Sequence, residues 1–542
     1  MNIVELALPT INKFASAYLS EEESLHRFFT YNPFSADTFE NRKNSLAQQT
    51  FLRDDLADHL LSFNARYHAD EKTLHNIERF RSEESLVVIG GQQAGLLTGP
   101  VYTISKIISI IKLAKEQENR LGVPVLPVFW IAGEDHDYHE INHVNIPREN
   151  GVEKISLPMK AAGKKMVSEL QLDKQQLSEW MLKIVNSYGE TAFTNDIKAL
   201  LERSLESADN LVDFFAELIT TLFKGTGLIL VDASNPDLRK IEVPFFQRLL
   251  TSHKRITSEV LAAQDDLEKA GFGNMLDVQG NSMNIFFHKH GERELLFWDE
   301  ELQKACTKDG KTEFAWEQLM EEMKSNPHLF SNNVVTRPLM QEFLFPALAF
   351  IGGPGEISYW AELKGAFEAL DLEMPPVVPR IGLTIVERHI DSTVKELGES
   401  MEDILINGLE EKRKAWLRSQ ELEELESRLE SYQKEYEKVH KQFRTVGKDV
   451  FPHLEPVFEK NWTLIDRQFA FMKRLMEKSS YEKHETVMKK YLRAELSLIP
   501  DSLPQERVWN IYYYLNQYGL DLVQRIVELP LEHNGKHKLI YV

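Results

Sequence analysis

The apolar positions change their period twice along the chain. Over roughly the first 80 residues they recur at helical spacing with interruptions; Pro33, Phe34 and Ser35 break one stretch, and Phe51 to Arg81 reads as a helix or a pair of helices. Then come short continuous apolar runs. Leu86 to Ile89 ends in Gly90 and Gly91, and Tyr102 to Gln117 carries Ile104, Ile107, Ile108 and Ile111 on one helical face. Val123 to Ala132 is a second run rich in β-branched and aromatic residues. A strand, a loop, a helix and a strand in succession form a βαβ unit, and two such continuous apolar strands predict a parallel sheet covered on both faces. The pattern resumes at Gly227 to Val231, closing on Asp232, and at Ala347 to Ile351, closing on Gly352 and Gly353. A helix is predicted from Glu356 to Leu370 and a last short strand at Val377 and Val378. Two segments break the alternation and read as insertions: 150–225, mostly helical and polar, and 275–335, hairpin material plus a helix.

Beyond about residue 385 the period lengthens to a heptad. Leu422, Leu425, Leu429, Tyr432, Tyr436, Val439 and Phe443 form one seam with mostly charged residues between them; Gly447 and Pro452 break it, and Phe458, Trp462, Ile465, Phe469, Met472 and Met476 form a second. Two seams around a breaker predict an antiparallel helical hairpin, either a projecting coiled coil or two helices laid on a globular core. The expected division is 1–385 for the sheet domain, 386–499 for the helical domain and 500–542 for a C-terminal segment returning to the sheet domain. Its end, HKLIYV, reads as a strand.

Composition narrows the function. The 542 residues are 42% hydrophobic and 27% charged, ample for a large core. Acids exceed bases by 21, which argues against a broad nucleic-acid surface and leaves room for a local basic pocket. The one cysteine, Cys306, lies in a polar stretch without a local histidine; it allows no intrachain disulfide and fits a reducing compartment. The chain shows no signal-peptide pattern and no apolar run of membrane-spanning length, so a cytoplasmic location without membrane partners is expected.

Candidate chemistry gathers at the ends of predicted parallel strands, where open α/β sheets bind ligands. GGQQAGLLTGP, Gly90 to Pro100, offers Gln92, Gln93, Thr98 and Gly99 before a helix N-terminus suited to a carboxylate or phosphate. It is neither a Walker A loop nor a dinucleotide fingerprint, and a purely structural glycine turn is the alternative. WIAGEDHDYHEINH, Trp130 to His143, holds Glu134, Asp135, Asp137 and Glu140 with His136, His139 and His143. General acid–base work by His136 and amine recognition by Asp135 and Asp137 compete there with a metal site and with a solvated helix cap. Asp232 is a ribose or amine ligand, with a helix cap at Asp232 or Asn235 as the alternative. Arg337 and Arg380 are candidate anion clamps or surface ion pairs, and Gln341, Gly353, Glu356 and Tyr359 accompany them.

GGQQAGLLTGP, PVFWIAGEDHDYHEINHV and RPLMQEFLFPALAFIGGPGEISYW, in this order, resemble the cysteine-adding ligase family of bacterial bacillithiol biosynthesis (BshC). The likeness runs over essentially the whole chain. It implies a Rossmann-like core with connecting-peptide insertions and a coiled coil used for homodimerisation. It also implies a reaction joining the carboxyl group of L-cysteine to the amine of glucosaminyl-malate. Such a carboxylate needs activation, for which ATP is the expected co-substrate, with no tightly bound metal. In that chemistry His136 would take the amine proton, with Asp137 as its catalytic companion. The remaining candidates, Gln92, Gln93, Thr98, Gly99, Trp130, Glu134, Asp135, Asp232, Arg337, Gln341, Gly353, Glu356, Tyr359 and Arg380, would bind substrate. The rival activity is a metal-dependent hydrolase built on the His/Asp cluster. Two further expectations follow: His136 and Asp137 line the main pocket beside Gln92, Thr98 and Gly99, and the dimer assembles through residues 400–490.

Overall fold

The computed structural model describes the whole chain apart from residues 150, 159–162, 164 and 290 and the side chains of 421–423. The expected insertion 150–225 therefore lies partly outside the described residues, as does the side chain of Leu422. Two compact units result: Met1–Ile385 with Gln505–Val542, and Val386–Pro504. Among the described residues no helix is long and apolar enough to cross a membrane.

In the first unit the strands are, in chain order, β1 (Asn2–Leu6), β2 (Leu86–Gln92), β3 (Val125–Ile131), β4 (His143–Arg148), β5 (Gly151–Ser156), β6 (Ile229–Asp232), β7 (Ser282–Lys289), β8 (Glu292–Asp299), β9 (Lys304–Thr307), β10 (Glu313–Ala315), β11 (Phe330–Asn332), β12 (Ala347–Gly352) and β13 (Val377–Pro379). They are followed by β14 (Leu383–Val386) and β15 (His537–Tyr541). The central sheet has the order β13-β12-β2-β3-β6, every pair parallel. The chain lays β2, β3 and β6 outward in one direction, then returns to place β12 and β13 on the other side of β2. The order reverses between β2 and β12, and crevices at such switch points are where open α/β sheets hold ligands. Continuous burial of Leu86–Gly91 and Val125–Ile131 follows from cover on both faces.

The helix Val101–Leu121 is the crossover between β2 and β3 and ends on Gly122 in the left-handed conformation, φ 68°. Its isoleucines are buried, and so is Lys106, 1% exposed. The helix expected over 356–370 is two shorter ones, Pro354–Trp360 and Lys364–Glu368. A tertiary contact divides them. Glu362, fully buried between the two, accepts hydrogen bonds from the Met275 backbone at 2.6 Å and from Gln264 Nε2 at 2.7 Å. Among its described residues the first insertion carries β5, antiparallel to β4, and the helices Lys174–Ser187, Thr194–Ser207 and Leu211–Leu222. The second is an antiparallel sheet of order β10-β9-β8-β7-β11 with the helix Trp316–Ser325. The C-terminal HKLIYV segment supplies β15, antiparallel to β1.

The second unit contains the helices Glu423–Val450 and Glu455–Lys483 around a short turn at Pro452–Leu454. They run antiparallel: Tyr436 meets Phe469 with ring centroids 6.1 Å apart, Phe443 meets Phe458 at 5.5 Å, and Gln433 Nε2 donates to Asp466 at 2.6 Å. Gly447 does not break the first helix, contrary to its expected role. It lies inside it, and a Cβ there would come within 2.7 Å of the Phe458 ring, a close approach that glycine permits. Leu425, Tyr432, Val439 and Val446 on one helix, and Val457, Leu464 and Phe471 on the other, recur every seven residues and are each at least 46% exposed.

Candidate functional site

At the switch point, the carboxyl ends of β2 and β12 are held together by one buried ammonium. Lys106 Nζ donates to the Gly91 carbonyl at 2.7 Å, to Gln92 Oε1 at 3.2 Å and to the Glu356 carboxylate. Glu356 in turn accepts the Gly353 N–H at 2.7 Å, capping the helix Pro354–Trp360. Burial pushes the Lys106 pKa down, and Glu356 works against that shift. Nearby, Arg337 Nη2 donates to the Tyr359 hydroxyl at 2.5 Å, and the charges of Glu356, Glu134 and Asp135 act on Arg337. Burial raises the Tyr359 phenol to about 12 despite Arg337. Gln341, 3% exposed and one helical turn beyond Arg337, has its amide oxygen without a partner among the described residues.

The loop after β3 forms the adjoining wall. Gln93 Nε2 bridges Asp135 at 2.8 Å and Glu140 at 3.1 Å. Burial works against the charge on Asp135, but the Gln93 amide, the Arg293 guanidinium and the His136 backbone N–H hold its pKa below the usual range. Ammonium, guanidinium and carboxylate groups thus stand near the carboxyl ends of these strands.

Several candidates are placed elsewhere, each for a tertiary reason. Trp130 is fully buried in the hydrophobic core. Glu134 is taken up by a buried ion pair with Arg239, which also holds Glu242 at 2.6 Å. Asp232 accepts from the Ser234 backbone at 3.0 Å and hydroxyl at 2.6 Å, and burial pushes its pKa up to about 6. The helix that follows is capped by Asn235 instead. Arg380 is not an exposed anion clamp: it makes two hydrogen bonds with Glu506, at 2.8 and 2.5 Å, and one with Ser105 Oγ at 2.6 Å.

The glycine loop differs from expectation too. Leu97, Thr98 and Gly99 all have positive φ, and Thr98 is fully buried. The C-terminal segment fastens this strained turn: Asn510 Nδ2 donates to the Leu97 and Gly99 carbonyls, both at 2.8 Å. The Val101 N–H is taken by the Trp509 carbonyl at 2.9 Å. The first N–H of the crossover helix is therefore not presented to an anion. A cleft borders this loop, lined by Gln92, Gln93, Gly99, Tyr102, Glu140 and Arg507 among others. His136 and Asp137 do not line it, against the expectation that they would. Asp137 is exposed at the start of the short helix Tyr138–Ile141, and His136 is turned toward the second insertion, where Arg293 Nη1 meets its Nδ1 at 3.3 Å.

The histidines of the loop disperse. His139 is exposed and His143 opens β4. Among the described residues no three His, Cys, Asp or Glu side chains gather as a metal cluster requires, so the metal-dependent hydrolase has no geometric support. Cys306 is on β9, and burial, then Asp299 and Glu313, push its thiol pKa up, the opposite of an activated nucleophile.

Sequence reasoning missed Lys106, Arg293, Glu506 and Asn510. Lys106 left a signal, a lysine in the middle of the run TISKIISII. The other three depend on contacts between segments far apart in the chain, and nothing local marks them.

Residues 1–381 match the family described as bacillithiol biosynthesis BshC, N-terminal Rossmann-like domain, and residues 383–542 its C-terminal coiled-coil domain. Relatives from a Geobacillus species and from Anoxybacillus flavithermus are each 42% identical over 542 residues, and one from Bacillus cereus is 41% identical over 540 residues. Each alignment covers 100% of both chains, and all three relatives bear the name "Putative cysteine ligase BshC". With a Rossmann-like sheet, a helical hairpin and this full-length match, the chain belongs to the BshC family of bacillithiol biosynthesis.

Proposed function

We propose that the protein is a ligase that joins the carboxyl group of L-cysteine to the amine of glucosaminyl-malate, forming bacillithiol at the expense of ATP. The observation that carries this reading is the full-length match to relatives named as cysteine ligases. The charged groups near the carboxyl ends of β2, β3 and β12 support it. Cysteine arrives as a zwitterion, and Asp135 offers a carboxylate held in its charged form while Arg337 offers a guanidinium. Activation transfers an adenylyl or phosphoryl group to the cysteine carboxylate, releasing pyrophosphate or ADP. The amine then attacks the acyl carbon, the activating group leaves with its bridging oxygen, and the amine gives up one proton. The thiol belongs to the substrate, so a protein nucleophile is not needed, in keeping with the raised pKa of Cys306.

We also propose that two copies pair through the helical hairpin. Apolar residues repeated every seven positions on both helices are costly to leave in water, and two-fold pairing is the commonest way to cover them. A single cysteine, which allows no intrachain disulfide, and small polar substrates support a cytoplasmic location. Reconstitution with L-cysteine, glucosaminyl-malate and ATP tests the reaction. Bacillithiol should form with one AMP or one ADP per product, and no product under these conditions refutes the reading.

A further inference from the structure

The C-terminal segment that closes on the glycine loop also brings a cation to the cleft beside it. Arg507 lines that cleft with Gln92, Gln93, Tyr102 and Glu140. It is exposed, and among the described residues it makes neither an ion pair nor a hydrogen bond. Its guanidinium carbon stands 6.0 Å from the centre of the Tyr102 ring. The acids around it are engaged elsewhere. Glu506, its neighbour in the chain, holds Arg380, and Glu140 accepts from Gln93 Nε2 at 3.1 Å. Burial and then Lys154 push the His143 pKa down, so that ring, in the same cleft, is neutral. Arg507 is therefore the one permanent cation among the described residues of the cleft, in a chain whose acids exceed its bases by 21.

The backbone that carries Arg507 is pinned on both sides. Before it, the Gln505 amide accepts the Ile385 N–H at 2.7 Å and donates to the Ile385 carbonyl at 2.9 Å, and Glu506 accepts the Leu383 N–H at 3.0 Å. After it, the Val508 carbonyl accepts from Asn145 Nδ2 at 3.4 Å, and Trp509 and Asn510 hold the turn at Leu97–Val101. A merely solvated arginine needs no such anchorage. A binding group gains from it, because rigid supports lower the ordering cost of taking up a ligand.

A guanidinium carries N–H donors only, in a planar fork that matches carboxylate and phosphate oxygens. Donors of the same kind accompany it. Burial pushes the Tyr102 phenol pKa up, so the ring keeps its O–H. Gln92 takes Lys106 on its Oε1 at 3.2 Å, which leaves it the amide N–H groups to give. We propose that this cleft is an oxyanion site, with Arg507 as its binding residue, for a group remote from the reacting atoms: a carboxylate of the malyl unit of glucosaminyl-malate or a phosphate of ATP. This rests on the ligase reading. In that reading the carboxylate of cysteine is the reacting group and belongs at Arg337, outside this cleft. Holding a remote anion supplies binding energy that orients the reacting centre.

Isothermal titration calorimetry on the full-length protein tests this, with glucosaminyl-malate, ATP and L-cysteine each titrated alone into wild type and Arg507→Met. Methionine keeps an apolar stem beside Tyr102 and removes the donors. At least one of the two anionic ligands should bind about 10- to 100-fold more weakly to the variant, the usual effect of deleting a charged hydrogen-bond donor, while L-cysteine should change by less than about twofold. The ligand that loses more identifies the source of the oxyanion, a carboxylate for glucosaminyl-malate and a phosphate for ATP. Unchanged binding of both, an equal loss with all three ligands, or a wild type that binds neither anionic ligand overturns the proposal. The urea midpoint of the variant should match wild type, and if it falls, Arg507→Gln takes its place in the same titrations. No titration requires product to form. A failed inference is thus distinct from a wild type that makes no bacillithiol in the reconstituted reaction, which would refute the ligase reading itself.

Discussion

Removing the Glu506 carboxylate tests why the C-terminal segment returns to the sheet unit. Glu506 and Arg380 are 9% and 5% exposed at their side chains, and the carboxylate also accepts the Leu383 N–H at 3.0 Å. Glu506→Gln keeps the shape and one acceptor oxygen but leaves the guanidinium buried without a counter-charge. Breaking a buried pair from one side costs about 3–5 kcal/mol; the retained amide oxygen places the expected loss near the lower end, about 3 kcal/mol. Urea unfolding followed by tryptophan fluorescence reads it, because all tryptophans other than Trp416 and Trp462 lie in the sheet unit. The double variant Arg380→Leu with Glu506→Leu should cost less than the sum of its single variants, since it leaves no orphaned charge. The pair also fixes a pH dependence. Burial would raise the Glu506 pKa, but Arg380 holds it below the ordinary 4.5. A depressed carboxylate contributes stability that is present above its unfolded pKa and is lost as pH falls through the folded one. The difference between wild type and Glu506→Gln should therefore hold at neutral pH and shrink in acid, below pH about 4.5. A loss under about 1 kcal/mol, or strict additivity in the double variant, would refute the reasoning.

Asp232 should behave in the opposite sense: its folded pKa, raised by burial to about 6 from 3.8, makes the folded state gain stability as pH falls through that interval, and Asp232→Asn should flatten the slope of stability against pH there. Lys106→Met should lower product formation while the protein still unfolds cooperatively, because the tie between β2 and β12 at Gly91 and Glu356 is lost; full activity in the purified variant would remove Lys106 from the site. Gly91→Ala should destabilise the sheet unit by about 1–3 kcal/mol, the cost of overpacking, because the new Cβ would come within 2.9 Å of the Trp130 carbonyl; an unchanged urea midpoint contradicts this. Light scattering should give a dimer for the wild type and a monomer for Val446→Glu with Phe471→Glu, and a monomeric wild type at micromolar concentration disproves pairing through the hairpin.

The sequence by itself determined the parallel sheet, because strands covered on both faces must be continuously apolar, as Leu86 to Ile89 and Val125 to Ile131 are. It determined the helical hairpin as well, since the seven-residue repeat leaves few other ways to bring Phe443 to Phe458 and Tyr436 to Phe469. Strand ends rich in glycine and polar residues marked the face at which open α/β sheets hold ligands, and Lys106 was legible as a charge in an apolar helix. Only the tertiary structure decided which polar groups face a substrate. Glu134, Asp232 and Arg380 looked available in the sequence and are engaged by Arg239, Ser234 and Glu506. The Gly90–Pro100 loop looked like an open anion cradle until Trp509 and Asn510, some 410 residues away, closed on it. His136 meets Arg293, which sits in an insertion. Periodicity records which side of an element is dry, and that is local information. The partner that neutralises or orients a charge is chosen by the path of the chain through space, which a single charged residue in a sequence does not record.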